Sequence, residues 1–152
     1  MYKLIFFKKL SKSISFAEPA FNESSILKPT NPYSASKASA DLVAMSYFKT
    51  HNFPVMITRC SNNFGPYQYP EKLIPLAINN IAKNKKIPIY GNGENIRDWL
   101  FVEDHVEGLI KVLNYGEIGE KYCIGGNEEK TNNEVVNTIC EMLDELISSI
   151  KK

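Results

Sequence analysis

Apolar side chains recur along the chain at helical and strand spacings, and the two spacings alternate. A helix is predicted from Tyr33 to His51. Its predicted buried stripe consists of Leu42, Val43, Tyr47 and Phe48. The β-forming run Val55–Cys60 follows and is typical of a strand buried in a parallel sheet. Because a helix that leads into such a strand is half of a βαβ crossover, the predicted fold class is α/β.

The rest of the chain repeats this alternation. The pattern predicts a helix over 74–83, an edge strand over 87–90, a strand over 96–102, a helix from 103, a strand over 121–124 and a helix from 131 or 132. Thr131 and Glu134 have the spacing of a capping box at the start of the last helix. Residues 1–10 are interpreted as a buried strand or a lead-in segment, and residues 11–32 as an irregular connection.

The chain has 152 residues, of which 43% are apolar and 23% charged, and its formal charge is +1. These values predict one soluble domain or most of one, without the excess charge that attracts nucleic acid or an anionic membrane. No apolar run approaches the roughly 18 residues that a membrane span needs. The first run, at residues 4–7, is also shorter than the apolar core of about 7–15 residues in a signal peptide, so a cytoplasmic location is expected.

The cysteines and histidines show no pattern of a disulfide framework or a metal site. Cys60, Cys123 and Cys140 are odd in number and far apart, so they are interpreted as reduced packing residues of a cytosolic protein. His51 and His105 have no second histidine at metal-ligand spacing, and each is interpreted as a surface or cap residue. No metal is therefore expected.

The stretch NPYSASKASAD, residues 31–41, places Tyr33 and Lys37 four residues apart on the first predicted helix. Residues at this spacing lie on one helical face, where an ammonium close to a phenol favours the phenolate and makes the tyrosine a candidate base. The alternative is a pair of neighbours on a solvated helix face. The small residues around the pair favour the catalytic interpretation, because they let a flat cofactor or a sugar approach the helix.

Residues 61–72, SNNFGPYQYPEK, follow the carboxyl end of the predicted strand Val55–Cys60. Ligands of open α/β sheets bind outside the carboxyl ends of strands. The segment offers two adjacent amides and a lysine as hydrogen-bond donors, and three aromatic rings as walls. An ordinary surface turn is the alternative, and the concentration of donors and rings favours a binding loop.

A dinucleotide needs a phosphate cradle, which is normally a G-x-G-x-x-G turn between a strand and a helix. The sequence contains no such turn. The glycine pairs that come nearest to it are Gly91-x-Gly93, Gly116-x-x-Gly119 and Gly125-Gly126. If the tyrosine and lysine are catalytic, the cradle is expected ahead of Met1 or in a partner.

Four blocks, PTNPYSASKASAD, RCSNNFGPYQYPEKLIPL, GNGENIRDWLFVEDHVEGL and YCIGGNEEKTNNEVV, carry a resemblance to a known family. The chain resembles the extended short-chain dehydrogenase/reductase superfamily, and within it the nucleotide-sugar 4,6-dehydratases of the dTDP-glucose 4,6-dehydratase type. The first block is common across the superfamily, whereas the second and third are more specific to these dehydratases. The resemblance runs from about Asn22 to Leu146. It implies a partial Rossmann-like parallel sheet with a small C-terminal substrate-binding subdomain.

The resemblance implies a hydride shuttle on a nucleotide-diphosphate sugar, dTDP-glucose or UDP-glucose, with NAD as cofactor. Tyr33 would take the proton of the sugar 4-hydroxyl while NAD accepts the C4 hydride. Tyr33 and Lys37 would also bind the cofactor, and Lys37 would both favour the phenolate and hydrogen-bond the nicotinamide ribose. Water would then leave across C5 and C6, and return of the hydride to C6 would give a 4-keto-6-deoxy sugar.

The same resemblance implies further site residues. Asn63 corresponds to a contact with the nicotinamide end of NAD, and Arg97 to an arginine that faces the diphosphate, a role that suits its donor fork. The other implied substrate contacts are Asn62, Lys72, Leu73, Pro88, Ile89, Tyr90 and Asn132. Among these, residues 88–90 would flank the base.

The chain departs from the family pattern in three places. The family's dehydration step uses a Thr-Asp-Glu cluster before the tyrosine helix, yet residues 1–15 contain neither Asp nor Glu. The glycine-rich first βαβ unit and the family's C-terminal segment are also absent, so the chain is interpreted as the middle and later part of a longer enzyme, inactive or nearly so alone. Residues 1–62 would be the remnant of the NAD-binding Rossmann domain, and residues 63–152 mostly the substrate-binding region with interleaved Rossmann elements.

Two other functions stay open on the sequence. A nucleotide-sugar 4-epimerase or decarboxylase shares the Tyr–Lys pair, although the block PEKLIP argues against it. A non-catalytic fragment that binds nucleotide sugar or pairs with a related subunit is consistent with the missing cradle. The Tyr–Lys helix also resembles the helix through which the superfamily dimerises, which implies a homodimer contact there.

Overall fold

The computed structural model describes the backbone of residues 4–9 and the whole of residues 22–150, so the predictions for residues 1–3 and 10–21 lie outside the described residues. The elements in chain order are β1 (Leu4–Lys9), α1 (Pro32–His51), β2 (Val55–Cys60), β3 (Asn62–Phe64), α2 (Leu73–Ala82), β4 (Ile96–Phe101), α3 (Val102–Tyr115), β5 (Lys121–Ile124), β6 (Glu129–Thr131) and α4 (Asn132–Ile150). This alternation confirms the α/β class.

The described strands form two three-stranded sheets. β1, β2 and β5 form a wholly parallel sheet with β2 at its centre. β3, β4 and β6 form the second sheet, in which β3 and β4 are parallel whereas β4 and β6 are antiparallel. The first sheet is the expected Rossmann-like one. The three-residue strands β3 and β6 were not predicted, because so short a stretch shows no periodicity.

β2 lies in the core, between β1 and β5. Val55, Met56 and Ile57 are at most 1% exposed, and Val55 and Ile57 form a cluster with Ala44 of α1. Burial on both faces is typical of a central strand in a parallel sheet with helices packed over it. The prediction for Val55–Cys60 is therefore confirmed.

α1 begins at Asn31, whose side chain accepts a hydrogen bond from the Ser34 amide at 2.8 Å, and the Ser34 side chain completes a capping box. Pro32 occupies the first helical position, where its missing N–H costs nothing. The helix ends at Asn52, which has a left-handed backbone with φ of 51°. The buried residues of the helix are Ser34, Ala38, Asp41 and Ala44.

The predicted buried stripe of α1 is wrong in three of its four positions. The exposed members are Leu42, Val43 and Tyr47, at 67%, 56% and 54%. Phe48 is half-buried and packs on the cluster around β2. The helix lies with Ala38 and Ala44 toward the sheet because small side chains allow close approach, and because Asp41 has a buried partner there. Apolar spacing alone does not reveal that a carboxylate faces the sheet.

A buried ion pair fastens α1 to β2. Arg59 Nε donates a hydrogen bond to Asp41 Oδ2 at 3.0 Å, and both residues are 3% exposed. Arg59 Nη1 also donates to the Glu23 carbonyl at 3.5 Å, and the Glu23 carboxylate accepts from the Cys123 amide of β5 at 2.8 Å. Removing one partner of a buried ion pair costs about 3–5 kcal/mol, because the other charge is left buried. The pair therefore fixes the position of α1 on the sheet.

Residues 87–90, which the sequence predicts as an edge strand, have no strand structure. Ile87 and Ile89 nevertheless pack against a cluster formed by Ala77 of α2 and Val136 of α4. Pro88, between them, has no N–H to donate to a neighbouring strand. The segment is therefore held by apolar packing instead of β pairing.

α4 begins with the predicted capping box, which the structure confirms. The Thr131 amide and hydroxyl donate to the Glu134 carboxylate at 2.7 and 2.8 Å, and the Glu134 amide donates to Thr131 Oγ1 at 3.1 Å. The hydrogen bonds from Thr131 lower the pKa of the Glu134 carboxyl. Asn132, a predicted substrate contact, is thereby placed in a well-defined first turn.

The structure also bears on disulfides, metal sites and membrane-spanning helices. The three cysteines form no disulfide. Among residues 22–150, no group of three or more His, Cys, Asp and Glu side chains is arranged to hold a metal ion. Within the same part of the chain, no helix has both the length and the apolar character needed to cross a membrane.

Candidate active site

The Tyr33 and Lys37 side chains lie together near the start of α1. The Lys37 ammonium is 5.8 Å from the centroid of the Tyr33 ring, and Tyr33 is 54% exposed. Ser34 and Ala38 are buried on the side of the helix that faces the sheet. The spacing of four residues thus places an ammonium next to a phenol that a ligand can reach.

The chain leaves β2 through two buried residues, Ser61 and Asn62, each 7% exposed. The Ser61 amide donates to the Ile124 carbonyl of β5 at 3.0 Å, and Asn62 begins β3 opposite Trp99 of β4. Ser61 Oγ is buried and has no hydrogen-bond partner among the described residues. A buried hydroxyl without a partner costs free energy, so a polar ligand group at this carboxyl end of β2 would stabilise the site.

Asn63 is held by hydrogen bonds to three other residues. His105, in the first turn of α3, lies with its Nδ1 2.5 Å from Asn63 Oδ1. Asn63 Nδ2 donates to the Ser61 carbonyl at 3.3 Å, and Gln68 Nε2 donates to the Asn63 carbonyl at 2.8 Å. The segment after β2 is therefore a short strand with fixed side chains, and only part of the binding loop expected from the sequence is irregular.

The interpretation of His105 as a surface or cap residue is wrong. His105 is 8% exposed, whereas His51 is exposed as expected. Burial lowers the pKa of His105, so its imidazole is neutral near pH 7. Its partner lies 42 positions away in the chain, and a long-range contact of this kind leaves no trace in local spacing.

Arg97 and Asn132 lie in neighbouring parts of the second sheet. Arg97 is opposite Lys130 of β6, and Asn132 follows β6 directly and donates its N–H to the Asn95 carbonyl at 3.2 Å. Arg97 Nη1 donates to the Ile96 carbonyl at 2.8 Å, and burial lowers the pKa of the guanidinium. A partly dehydrated cation gains most from an anionic ligand that can accept two parallel hydrogen bonds.

Asp98, next to Arg97, fastens the loop after β5 to β4. Its carboxylate accepts hydrogen bonds from the Gly126 amide at 3.0 Å and the Glu128 amide at 2.8 Å. A Cβ atom at Gly126 would clash with the Trp99 carbonyl, so the close approach of this loop requires glycine. These hydrogen bonds hold β4, the strand that carries Arg97, against the loop that follows β5.

The remaining predicted contacts surround α2. Lys72 is the N-terminal cap residue of α2 and is exposed. Leu73 and Ile89 pack on the apolar cluster between α2 and α4. Pro88 and Tyr90 are exposed, Tyr90 to 88%. Leu73 and Ile89 therefore anchor two segments whose exposed neighbours can contact a ligand.

The structure gathers the predicted residues into two groups, the Tyr33–Lys37 pair on α1 and the remainder around the second sheet and α2. No hydrogen bond among the described residues joins Tyr33 or Lys37 to the segment that begins at Asn62. The two groups are related through the packing of α1 on β2, the strand that leads into this segment. That packing includes the Asp41–Arg59 ion pair and the contact of Ala44 with Val55 and Ile57.

Asp41 and Arg59 are missing from the site predicted from the sequence, although both positions carry a signal. Asp41 follows Lys37 by one more helical turn, and so continues the stripe of the Tyr–Lys pair. Arg59 is the one charged residue of the mostly apolar strand β2, and a buried charge is stable only with a partner. His105 carries no comparable signal.

Solved structures define the class of protein to which this fold belongs. The dTDP-glucose 4,6-dehydratase of Bacillus anthracis, solved in complex with NAD, is 51% identical with a TM-score of 0.89, covering 93% of this chain and 46% of that one. A dTDP-glucose 4,6-dehydratase of Streptomyces venezuelae, solved with NAD and TYD bound, is 43% identical with a TM-score of 0.88, covering 93% and 44%. The fold is that of the Rossmann-type dehydratases of the short-chain dehydrogenase/reductase superfamily.

Sequence comparison then gives the family. The family model described as GDP-mannose 4,6 dehydratase matches residues 15–152, and the chain belongs to this family. The dTDP-glucose 4,6-dehydratase of Haemophilus influenzae is 54% identical over 136 residues, which are 90% of this chain and 40% of that protein. The chain thus spans about two fifths of the length of the curated relatives it matches. The resemblance to nucleotide-sugar 4,6-dehydratases is confirmed.

Stability below neutral pH is predicted to depend on His105. Its pKa is lowered in the folded protein, so between that value and the unfolded value of about 6.5 the unfolded chain binds more protons. The contribution to the free energy of unfolding is therefore fully present above about pH 6.5 and is lost as the pH falls. Urea unfolding at a series of pH values measures the effect. A His105→Asn variant should lack this pH dependence, and a His51→Gln variant should keep it. The prediction is contradicted if the free energy of unfolding changes with pH equally in wild type and His105→Asn.

Proposed function

We propose that this chain supplies the Tyr–Lys pair and the nucleotide-sugar-binding part of a dTDP-glucose 4,6-dehydratase. The observation that carries the proposal is the Tyr33–Lys37 pair on an accessible helix face, in a chain 54% identical to such an enzyme. The reaction class is removal of water from a nucleotide-linked hexose by way of oxidation at C4. The 4-epimerase and decarboxylase alternatives are not favoured, since the relatives reported above are dehydratases.

Tyr33 is the base in this proposal. Its half-exposed phenol is accessible to the 4-hydroxyl of a bound hexose, and the Lys37 ammonium lies 5.8 Å from the centroid of its ring. NAD, when bound, would supply the hydride acceptor for oxidation at C4 and the hydride donor for reduction at C6. Lys37 and Asn63 are the residues of this chain that would hold the nicotinamide end.

The described residues are better suited to bind the nicotinamide end of NAD than to bind its diphosphate. The exposed Tyr33 phenol, and the Ser61 hydroxyl, which has no hydrogen-bond partner among residues 22–150, offer polar groups to a ligand. The turn at Gly93 is not an open cradle, because the Asn133 side chain lies where a Cβ atom of residue 93 would be. Together with the missing G-x-G-x-x-G turn, this supports a diphosphate cradle supplied from outside this chain's sequence.

The second group of residues would bind the nucleotide diphosphate of the sugar. Arg97, whose charge is partly dehydrated, pairs with the diphosphate, and Lys72 adds a second cation. Asn62 and Asn132 add amide contacts. Tyr90, exposed to 88%, and its neighbours Pro88 and Ile89 flank the base, while Leu73 lines the site from α2.

This assignment divides the chain into two functional parts. Residues 1–62 belong to the NAD-binding part and residues 63–152 mostly to the substrate-binding part. β5 belongs to the first part although it lies within 63–152, because it pairs with β2.

Calorimetric titration with dTDP tests the proposal. Wild type should bind dTDP saturably, and Arg97→Ala should weaken binding by about tenfold or more, because a charge-assisted hydrogen bond contributes roughly 1.5–3 kcal/mol. Lys111→Ala is the matched control, since it removes one positive charge from an exposed position on α3. Equal binding by wild type and Arg97→Ala, or no binding by wild type, would contradict the proposal. UDP in the same titration reports the preference for thymine or uracil.

Incubation of the same protein with NAD and dTDP-glucose separates binding from turnover. We expect dTDP binding without a 4-keto-6-deoxy product, because the sequence contains no G-x-G-x-x-G turn of the kind that normally binds the dinucleotide phosphates. Formation of that product would show that the chain acts alone and would overturn the expectation of inactivity. A C4-epimerised sugar would favour the epimerase alternative.

We also infer a contact between two copies of the chain through α1. Leu42, Val43 and Tyr47 are all more than half exposed on this helix, and apolar patches of this kind mark interaction surfaces. Light scattering coupled to size-exclusion chromatography should show a dimer that Leu42→Glu converts to a monomer. Asn114→Glu, at an exposed position of α3, should leave the dimer intact. A wild-type monomer at high concentration would exclude this contact.

A further inference from the structure

The orientation of the Asn63 carboxamide follows from its surroundings. One end of the carboxamide faces the Ser61 carbonyl at 3.3 Å, and the other faces His105 Nδ1. A carbonyl oxygen only accepts hydrogen bonds, so the Asn63 atom that faces Ser61 must be the donor Nδ2. The Asn63 atom that faces His105 is therefore Oδ1, which only accepts.

This orientation determines the tautomer of His105. Because Asn63 Oδ1 cannot donate, the proton of this hydrogen bond must be on His105 Nδ1. A buried, neutral imidazole carries one ring proton, so His105 is in the Nδ1–H form. The imidazole is thus a directional donor, and its packing is only part of its role.

The hydrogen bond between His105 and Asn63 lies where residues 63–65 approach the start of α3. The chain approaches α3 so closely that a Cβ atom at Gly65 would be 2.7 Å from Val102 Cγ1. Successive side chains of a strand point to opposite faces, so Asn63, turned toward His105, leaves Asn62 on the other face of β3. The Gln68 side chain holds the Asn63 carbonyl from the following turn. The backbone on either side of Asn63 is therefore fixed.

We propose that His105 is a positioning residue for nucleotide-sugar binding, which locks Asn63 through its Nδ1–H and so holds Asn62 in place to contact the ligand. This inference rests on the proposed function for the role of Asn62. Asn63 then also has a structural role, because its Oδ1 accepts a hydrogen bond from His105 and its Nδ2 donates one to the Ser61 carbonyl. His105 itself touches neither substrate nor cofactor in this arrangement.

The tautomer is measured directly by long-range ¹H–¹⁵N correlation spectra of the ¹⁵N-histidine-labelled wild-type chain near neutral pH. The chain has two histidines, and a His51→Gln variant assigns the signals. His105 should show a protonated Nδ1 and an unprotonated Nε2. An Asn63→Leu variant, which removes the acceptor, should abolish this preference. A protonated Nε2 in wild type would overturn the inference without any variant.

The positioning role is measured with dTDP titrations of two variants. His105→Leu removes the donor at similar volume and should weaken dTDP binding roughly fivefold, the effect of one hydrogen bond of about 1 kcal/mol. His105→Asn keeps a donor near the position of Nδ1 and should bind within about twofold of wild type. Rescue by asparagine separates positioning from general packing. A folded His105→Leu variant that binds dTDP like wild type would overturn the role.

The two measurements distinguish an error in the proposed function from an error in the positioning role of His105. If wild type binds no dTDP, the proposed function is wrong, whereas the ring-nitrogen spectra still decide whether His105 holds Asn63. If wild type binds dTDP and the spectra show the Nε2–H form, the proposed function stands and the positioning inference is wrong. His51→Leu, a change at an exposed histidine, should leave dTDP binding unchanged and is the control for loss of an imidazole.

Discussion

The ion pair between Asp41 and Arg59 is the interaction on which the proposed site depends. Two charges that are each 3% exposed are stable in a protein only while they face each other, so α1 has one favourable position on β2. That position places small side chains against the sheet and leaves Tyr33 and Lys37 accessible. Because Arg59 belongs to the strand that leads into the segment beginning at Asn62, the same pair helps to relate the Tyr–Lys helix to that segment.

The second sheet holds the other group of candidate residues, just as the packing of α1 on β2 holds Tyr33 and Lys37. β3 continues from the end of β2 and pairs with β4, so the segment after the Rossmann-like sheet is also an edge strand of the second sheet. Asp98 fixes the loop after β5 against β4, and the capping box at Thr131 fixes the start of α4. Arg97 lies between these two fixed points. In the proposed function, the diphosphate of the ligand lies at Arg97 and its sugar at Tyr33.

The sequence predicted the features that depend on local patterns. The strand Val55–Cys60 and the capping box at Thr131 are both found, because each is encoded in adjacent residues. The buried face of α1 was wrong, since the partner of Asp41 lies 18 positions away on another element. The buried state of His105 was missed for the same reason, with its partner 42 positions away. Family resemblance supplied the candidate ligand contacts, but the residues that hold them in place became apparent only from the folded chain.

The most direct test of the account is an NMR measurement on the chain with dTDP-glucose bound. Intermolecular NOEs should connect the hexose protons to the Tyr33 ring, and the thymine methyl group to residues 88–90. Both sets are expected in one complex, because the ion pair and the second sheet hold the two groups of residues in a single frame. Thymine contacts at residues 88–90 without any hexose contact at Tyr33 would contradict the account, since the sugar would then lie away from the Tyr–Lys pair.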